Sequence, residues 1–288
     1  MPDAVVAPTV QLPDFVACPS CRGKLAAADE RLSCTGCGSS YGFEQDVPLL
    51  FAHSAQGEDV ARVQEHYNTI SHDYDDVFSS HVARHYLDKR LQIVQEVLPR
   101  GRVLDVGCGT GVIASSIAAL GYTVFGVDLS PGMLSRAKQR GLAGGFASFA
   151  TALPFADGSF DLALTVATMH HLETPVRVAF TIAEMGRVVR SGGHILLWDH
   201  NPLNPYWPII MKRVPQDSGD ERLVPMGEIL ADVRAAGLEL VSARRLGLIP
   251  DFVPRQLMPL ARAAEWLVES LPPLSLVAAH NVVVARKP

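Results

Sequence analysis

Two groups of residues in this chain have the types and spacing for chemistry. Cys18, Cys21, Cys34 and Cys37, four of the five cysteines, form two C-x-x-C pairs with twelve residues between them. Thiolates spaced this way come from two hairpin knuckles and close a tetrahedral zinc site, a redox dithiol being the alternative reading. Four thiolates leave the ion no open position, so such a zinc is structural, and so short a segment draws its folding energy from the metal. The second group is VLDVGCGTG, residues 103–111. Gly107, Gly109 and Gly111 let a ligand approach the backbone where a strand hands over to a helix N-terminus. Val112 stands where a dinucleotide fingerprint has its third glycine. Asp105 would repel a pyrophosphate but suits a cation, such as the ammonium and sulfonium of S-adenosylmethionine (SAM). Asp128, at the end of the next strand, is placed to accept from both ribose hydroxyls. No G-x-x-x-x-G-K-S/T run occurs, which excludes a P-loop.

Further candidates sit at strand ends. His170 and His171 follow FDLALTVA, and Asp199 and His200 end HILLWDH. Attack on a sulfonium of the SAM kind is a direct displacement, in which a base is needed only when the attacking group loses a proton. His171 and His200 are the leading candidates for that role, because imidazoles titrate near working pH. Asp199 reads equally as a cap for the turn into Asn201-Pro202, and Cys108 as a small packing residue within the loop. The acceptor side is apolar: Tyr206, Trp207, Ile209, Ile210 and Met211 in one stretch, Phe252, Leu257, Met258, Leu260, Trp266, Leu267 and Leu271 in another. These residues suit a pocket wall for a hydrophobic molecule, a helix core or a dimer interface.

The elements that must position these groups follow from periodicity. Residues 60–98 carry Val82, Tyr86, Leu87, Leu91, Val94 and Leu98 at spacings near 3.6, which predicts helix. From 102 onward, apolar runs at 102–106, 123–128, 145–150, 160–167 and 194–200 alternate with helical segments at 111–120, 131–140 and 176–190. That alternation predicts parallel βαβ units covered on both faces. A proline-rich excursion (201–224), a helix (226–236), a strand (238–246), a second excursion (247–280) with a helical stretch at 254–270, and a last strand (281–286) follow. This order places an antiparallel strand at the end of the sheet. Residues 1–16 read as a flexible tail, 17–52 as the cysteine module and 60–288 as one domain.

The chain has 288 residues, 48% hydrophobic and 19% charged, with net charge -5. That balance disfavours binding built on neutralising phosphates. No apolar run approaches the ~20 residues that span a bilayer. The first fifteen residues lack the basic n-region of a signal peptide, so a cytoplasmic location is expected.

Over roughly residues 60–200 the chain resembles the class I SAM-dependent methyltransferases, particularly the group that includes ubiquinone and menaquinone C-methyltransferases. The resemblance rests on VLDVGCGTG, VFGVDLSPGML, ALPFADGSFDLALTVATMHHL and MGRVVRSGGHILLWDHNP. It implies that Asp105 and the 107–111 loop hold the amino-acid end of SAM, Asp128 the ribose, and Leu129 and Met133 the adenine. One departure is Phe149, which replaces the family's acidic acceptor for the adenine amine. Its ring would border the adenine, with Ala150 supplying backbone contacts, or it is a buried strand residue. HYNTISHDYDD (66–76) looks like the family segment that folds over the cofactor; Tyr74 is the ring favoured for the site, with Tyr67 on the same face if the helix continues.

The cysteine module resembles the zinc heads of ribosomal RNA guanine methyltransferases, and also the small zinc-ribbon activator subunits of tRNA and protein methyltransferases and similar heads on bacterial small-molecule enzymes. Arg22, Lys24 and Arg31 are offset by Asp29, Glu30, Glu44 and Asp46, which argues against RNA. The expected fold is α/β, a Rossmann-like seven-stranded methyltransferase sheet with an N-terminal zinc ribbon bracing the 60–98 lid helices and one side of the acceptor pocket. The leading function is methylation of a hydrophobic small molecule in secondary metabolism, by a monomer or homodimer. Alternatives are an RNA methyltransferase and a SAM-binding protein with a non-methylating role.

Overall fold

The apolar runs of the sequence become strands at nearly the expected positions. The structure, a computed structural model, describes residues 12–28, 31–52, 58–72, 75, 80–211 and 221–288, with backbone alone for 58–63. The cysteine module holds five short strands, β1 (Leu25–Ala28), β2 (Arg31–Cys34), β3 (Ser40–Tyr41), β4 (Phe43–Glu44) and β5 (Val47–Pro48). Two helices follow, α1 (Glu58–Ile70) and α2 (Ser80–Val97). Helix α1 stops at Ile70, so Tyr67 does not share an unbroken helix with position 74, and Tyr74 itself lies outside the described residues.

The main domain then runs β6 (Arg102–Val106), α3 (Val112–Ala119), β7 (Thr123–Asp128), α4 (Pro131–Gln139), β8 (Gly144–Ala147), β9 (Phe160–Val166), α5 (Pro175–Val188) and β10 (Val189–His200). It ends with α6 (Trp207–Ile210), α7 (Met226–Ala235), β11 (Glu239–Leu246), α8 (Met258–Ser270), α9 (Pro272–Ser275) and β12 (His280–Arg286). Seven strands form one sheet in the order β11-β12-β10-β9-β6-β7-β8. All pairings from β10 to β8 are parallel, and β12 runs antiparallel to both neighbours. The antiparallel strand is therefore one place in from the edge, with β11 outside it.

Helix starts are set locally. Ser130 and Thr174 cap α4 and α5 with their side chains, each followed by a proline at the first helical position. Helix α5 buries Val178, Ile182 and Met185, spaced i, i+4, i+7, against the sheet.

The ribbon is anchored differently from expectation. Leu49 bridges Ala147 in parallel, the Leu50 amide donates to the Ala147 carbonyl (2.7 Å), and Ser148 Oγ donates to the Leu50 carbonyl (2.6 Å). The chain leaving the ribbon thus extends the sheet beyond β8 and covers an edge that would otherwise expose unpaired backbone groups. The described part of the expected tail is packed, too: Phe15 stacks edge-on against Phe125 and Phe160 at 5.1 and 5.5 Å, and Val16 bridges Phe155. Ribbon residues Leu32 and Tyr41 join the same buried cluster as Phe155. Phe155→Ala empties the place where ribbon, N-terminal segment and sheet meet, and is expected to cost about 3–5 kcal/mol. Urea denaturation checks this; a loss under about 1 kcal/mol would contradict a shared core.

Candidate active site

Strand order reverses between β6 and β9, so the crevice beyond their carboxyl ends is open to a ligand. The glycine loop leaves β6 there. The Gly107 and Cys108 amides donate to the Val127 carbonyl at 2.8 and 3.0 Å, tying the loop to β7. Gly107 and Gly111 have φ of +74° and +79°. A Cβ on Gly107 would overlap the Thr168 side chain, and one on Gly111 would sit 2.7 Å from the Ala137 Cβ. Packing of the loop against its neighbours demands these two glycines, whatever approaches from the crevice.

Beyond the loop lies a cavity of about 700 Å³, lined by Asp105, Gly107, Cys108 and Gly109 at one end and His170, His171, His200 and Trp207 at the other. Asp105 is 1% exposed, and its Oδ2 has no hydrogen-bond partner. Burial, reinforced by nearby Asp128 and opposed by Arg90, pushes its pKa up to about 7. Asp128 accepts from the Gly109 amide through Oδ2 (2.9 Å) and from the Ser130 amide through Oδ1 (3.0 Å). Burial raises its pKa too, with these amides pulling the other way.

Arg90 of α2 faces the same cavity, 5.2 Å from the Trp198 ring centroid, with its Nε unpartnered. Burial lowers its pKa to about 10, which leaves it charged at working pH. Sequence reading passed over it. The signal was there: Arg90 interrupts the apolar stripe Val82–Tyr86–Ile93 at helical spacing. An orphaned carboxylate oxygen and a guanidinium on one wall match the two charges of an amino-acid group, so Asp105 and Arg90 fit the amino-acid end of SAM.

At the far end the histidines form a stack. Asp199 is 0% exposed; its Oδ1 accepts from His170 Nδ1 (2.7 Å) and the His200 amide (2.6 Å), and its Oδ2 from the Met169 amide (2.6 Å). Burial works to raise the Asp199 pKa, but His170 and the amides overcome it and hold the carboxylate below its usual range. Asp199 therefore caps the turn at 169–172 and orients His170, and does not cap the turn into Asn201. His200 lies flat between Trp207 (3.6 Å, 5°) and His170 (4.4 Å, 16°), and its buried Nδ1 has no partner. Burial and the neighbouring His170 push the His200 pKa well below 6.5. His171 contacts the Tyr67 hydroxyl (3.4 Å), and burial and His170 push its pKa to about 3. Both imidazoles are held neutral.

Other expected residues lie elsewhere. Among the described residues, Gly111, Asp128, Leu129, Met133, Phe149 and Ala150 do not line this cavity. Met133 and Phe149 are buried, and Phe149 stands edge-on to Phe51 (5.2 Å) at the ribbon's exit. Leu129 turns its carbonyl to Gln64 Nε2 (2.8 Å). Tyr206, Trp207 and Ile210 line the cavity as expected, joined by Ile249 and Val277, but Ile209, Phe252, Leu257, Leu260, Trp266, Leu267 and Leu271 are exposed. No described ribbon residue reaches the cavity. The four ribbon cysteines converge: one Sγ from each lies within 4.8 Å of the others, Cys18 to Cys37 at 3.7 Å and Cys21 to Cys34 at 3.4 Å. Tetrahedral zinc, with Zn–S near 2.3 Å, places its thiolates roughly 3.8 Å apart, so the four sulfurs fit it.

The geometry agrees with what this chain is similar to. A methyltransferase domain family matches residues 104–197. A ubiquinone biosynthesis O-methyltransferase of Burkholderia thailandensis is 30% identical over 167 residues, covering 53% of this chain and 71% of that protein. An uncharacterized methyltransferase of Synechocystis is 37% identical over 115 residues, 39% of this chain. The chain spans about half the length of the Synechocystis protein, 54%. The crystal structure of a SAM-dependent methyltransferase of Thermotoga maritima shares the fold, with TM-score 0.58 and 22% identity over 78% of this chain and 100% of that one. The chain belongs to the class I SAM-dependent methyltransferases.

Proposed function

We propose that this protein transfers the methyl group of SAM to a hydrophobic small molecule. One observation carries the reading: a single cavity of about 700 Å³ joins the Asp105–Arg90 end to an apolar end walled by Trp207, Ile210 and Ile249. The Burkholderia relative, named for ubiquinone biosynthesis, supports an apolar acceptor. When bound, SAM supplies an electrophilic methyl group on a sulfonium. Asp105 and Arg90 would hold its ammonium and carboxylate; the Asp128 carboxylate, outside the cavity lining and already accepting from the Gly109 and Ser130 amides, would take the ribose hydroxyls on its remaining lone pairs. Trp207, stacked on His200, gives a flat wall against which an acceptor ring lies. The His200 Nδ1 hydrogen-bonds the acceptor's polar group. An acceptor proton moves onto His170, because Asp199 directly balances the charge that forms there. Of the bases expected from sequence, His200 has no partner at Nδ1, and His171 faces the Glu221 carboxylate at a longer 3.7 Å. The ribbon's four thiolates hold a structural zinc that keeps the β8 edge covered. We place the enzyme in the cytoplasm; no helix among the described residues is long and apolar enough to cross a membrane.

Three measurements test this reading. Calorimetry of SAM binding between pH 5.5 and 7.5 reads the state of Asp105. Its raised pKa leaves it neutral below about 7, so a cation must displace its proton. Affinity is therefore expected to rise with pH toward a plateau above 7, falling by up to about tenfold per unit below it. Asp105→Asn should weaken binding and flatten that profile; a flat wild-type profile contradicts the role. Second, methyl-labelled SAM, offered prenylated catechols and quinols in parallel with bulk RNA, should label the organic-extractable product. Asp199→Asn should lower that turnover by about 10²–10⁴ with SAM affinity unchanged. Label in RNA alone would overturn the assignment. Third, elemental analysis should find zinc in the wild type and none in Cys34→Ser, with Tm lowered by at least about 5 °C. A zinc-free variant of full stability would refute a structural ion.

A further inference from the structure

Helix α8 is built inside out. Its acidic residues turn inward: Glu265 accepts from His85 Nε2 (2.6 Å), Lys89 Nζ (2.9 Å) and the Leu248 amide (2.9 Å), and Glu269 pairs with Lys89 and accepts from the Gly247 amide. Burial works against ionising Glu265, but His85 and Lys89 overcome it and bring its pKa to about 2. Both acids of the helix are thereby consumed on its protein side. The opposite stripe, at i, i+3, i+4 and i+7, reads Leu260, Ala263, Ala264 and Leu267, all exposed, with Trp266 beside it. Leu260 is 71% exposed and Trp266 68%. An ordinary surface helix has these two faces reversed.

The apolar face continues past the helix. In the chain, Phe252, 72% exposed, precedes the helix, and the exposed Leu271, Leu274 and Val277 follow it. Val277 is both exposed and part of the cavity wall, so the patch runs into the mouth of the acceptor cavity. Phe252 approaches Tyr206, another wall residue, with ring centroids 6.3 Å apart. The exposed charges on this segment are cations, Arg255 just before the helix and Arg262 on its flank. In a protein of net charge -5, this face carries the opposite sign.

We propose that the outer face of α8, with Arg255 and Arg262, docks on the surface of an anionic lipid bilayer. Exposed aliphatic residues and a tryptophan flanked by arginines are the pattern of a helix lying in a membrane interface. The delivery role rests on the function proposed above: a hydrophobic acceptor dissolved in the bilayer would enter at Val277 without crossing water. A second copy of the chain fits less well. A two-fold contact centred on α8 would bring the arginine-bearing faces together and cover the cavity mouth.

Vesicle co-sedimentation with the full chain, without SAM or acceptor, tests docking independently of methyl transfer. Binding is expected to phosphatidylcholine vesicles containing phosphatidylglycerol, with a blue shift of tryptophan emission that Trp266→Phe removes. Leu260→Ser/Leu267→Ser should abolish binding, and Arg255→Gln/Arg262→Gln should weaken it by roughly fivefold per arginine. All these sites are exposed, so thermal melting should match the wild type, and the emission shift of the unaltered chain stands whatever the variants do. Absence of wild-type binding, or binding that the leucine pair leaves intact, overturns the proposal. So does a wild-type dimer in analytical ultracentrifugation that the leucine pair dissociates while vesicle binding is absent.

Discussion

The placement of Asp105 and Asp128 is the constraint on which the site turns. They stand at the carboxyl ends of neighbouring strands, Asp105 buried and Asp128 partly so, and the second raises the pKa of the first. Two such carboxylates oppose each other and oppose burial. Asp128 is satisfied by the Gly109 and Ser130 amides, which fixes the glycine loop against β7. Asp105 has Arg90 nearby and an oxygen with no partner. A cation in the crevice relieves that arrangement. The proposed cofactor brings one.

Much of the remaining architecture keeps this arrangement dry and in register. Helix α2 brings Arg90 over the crevice. The two excursions after β10 and β11 fold over the same opening, where Trp207 and His280 close on His200. Asp199 sits at the end of β10 as Asp105 sits at the end of β6, but with its bonds filled by His170 and three amides. One buried carboxylate is left hungry for a cation and the other already holds an imidazole. In the proposed function that difference separates a cofactor end from a proton-accepting end.

The sheet and most helix boundaries were legible because a buried parallel strand leaves a dense apolar run and a helix a 3.6-residue stripe. The glycine loop and the cysteine pairs were legible because their chemistry depends on spacing along the chain. What was not legible depended on contacts between distant segments. Arg90 and Asp105 come to one cavity from helix and sheet, and the His170 ring, not that of His200, pairs with an aspartate 29 positions away. The apolar residues of 252–271 suited a pocket wall, a helix core or a dimer interface alike; whether an apolar stripe faces in or out depends on what covers it. Here Glu265 and Glu269 take the inner side through His85 and Lys89. Likewise, nothing in the spacing of Phe15 or Leu49 reveals that the first packs on Phe125 and Phe160 and the second pairs with β8.

The central claim is that Asp105 and Arg90 bind the amino-acid group of SAM at one end of a cavity shared with the acceptor. A crystal structure with S-adenosylhomocysteine tests it most directly. The account expects the ammonium on Asp105 Oδ2, the carboxylate on Arg90, and the sulfur facing the space bounded by His170, His200 and Trp207. A ligand bound with its amino-acid end away from both residues, or with its sulfur walled off from that space, would contradict it.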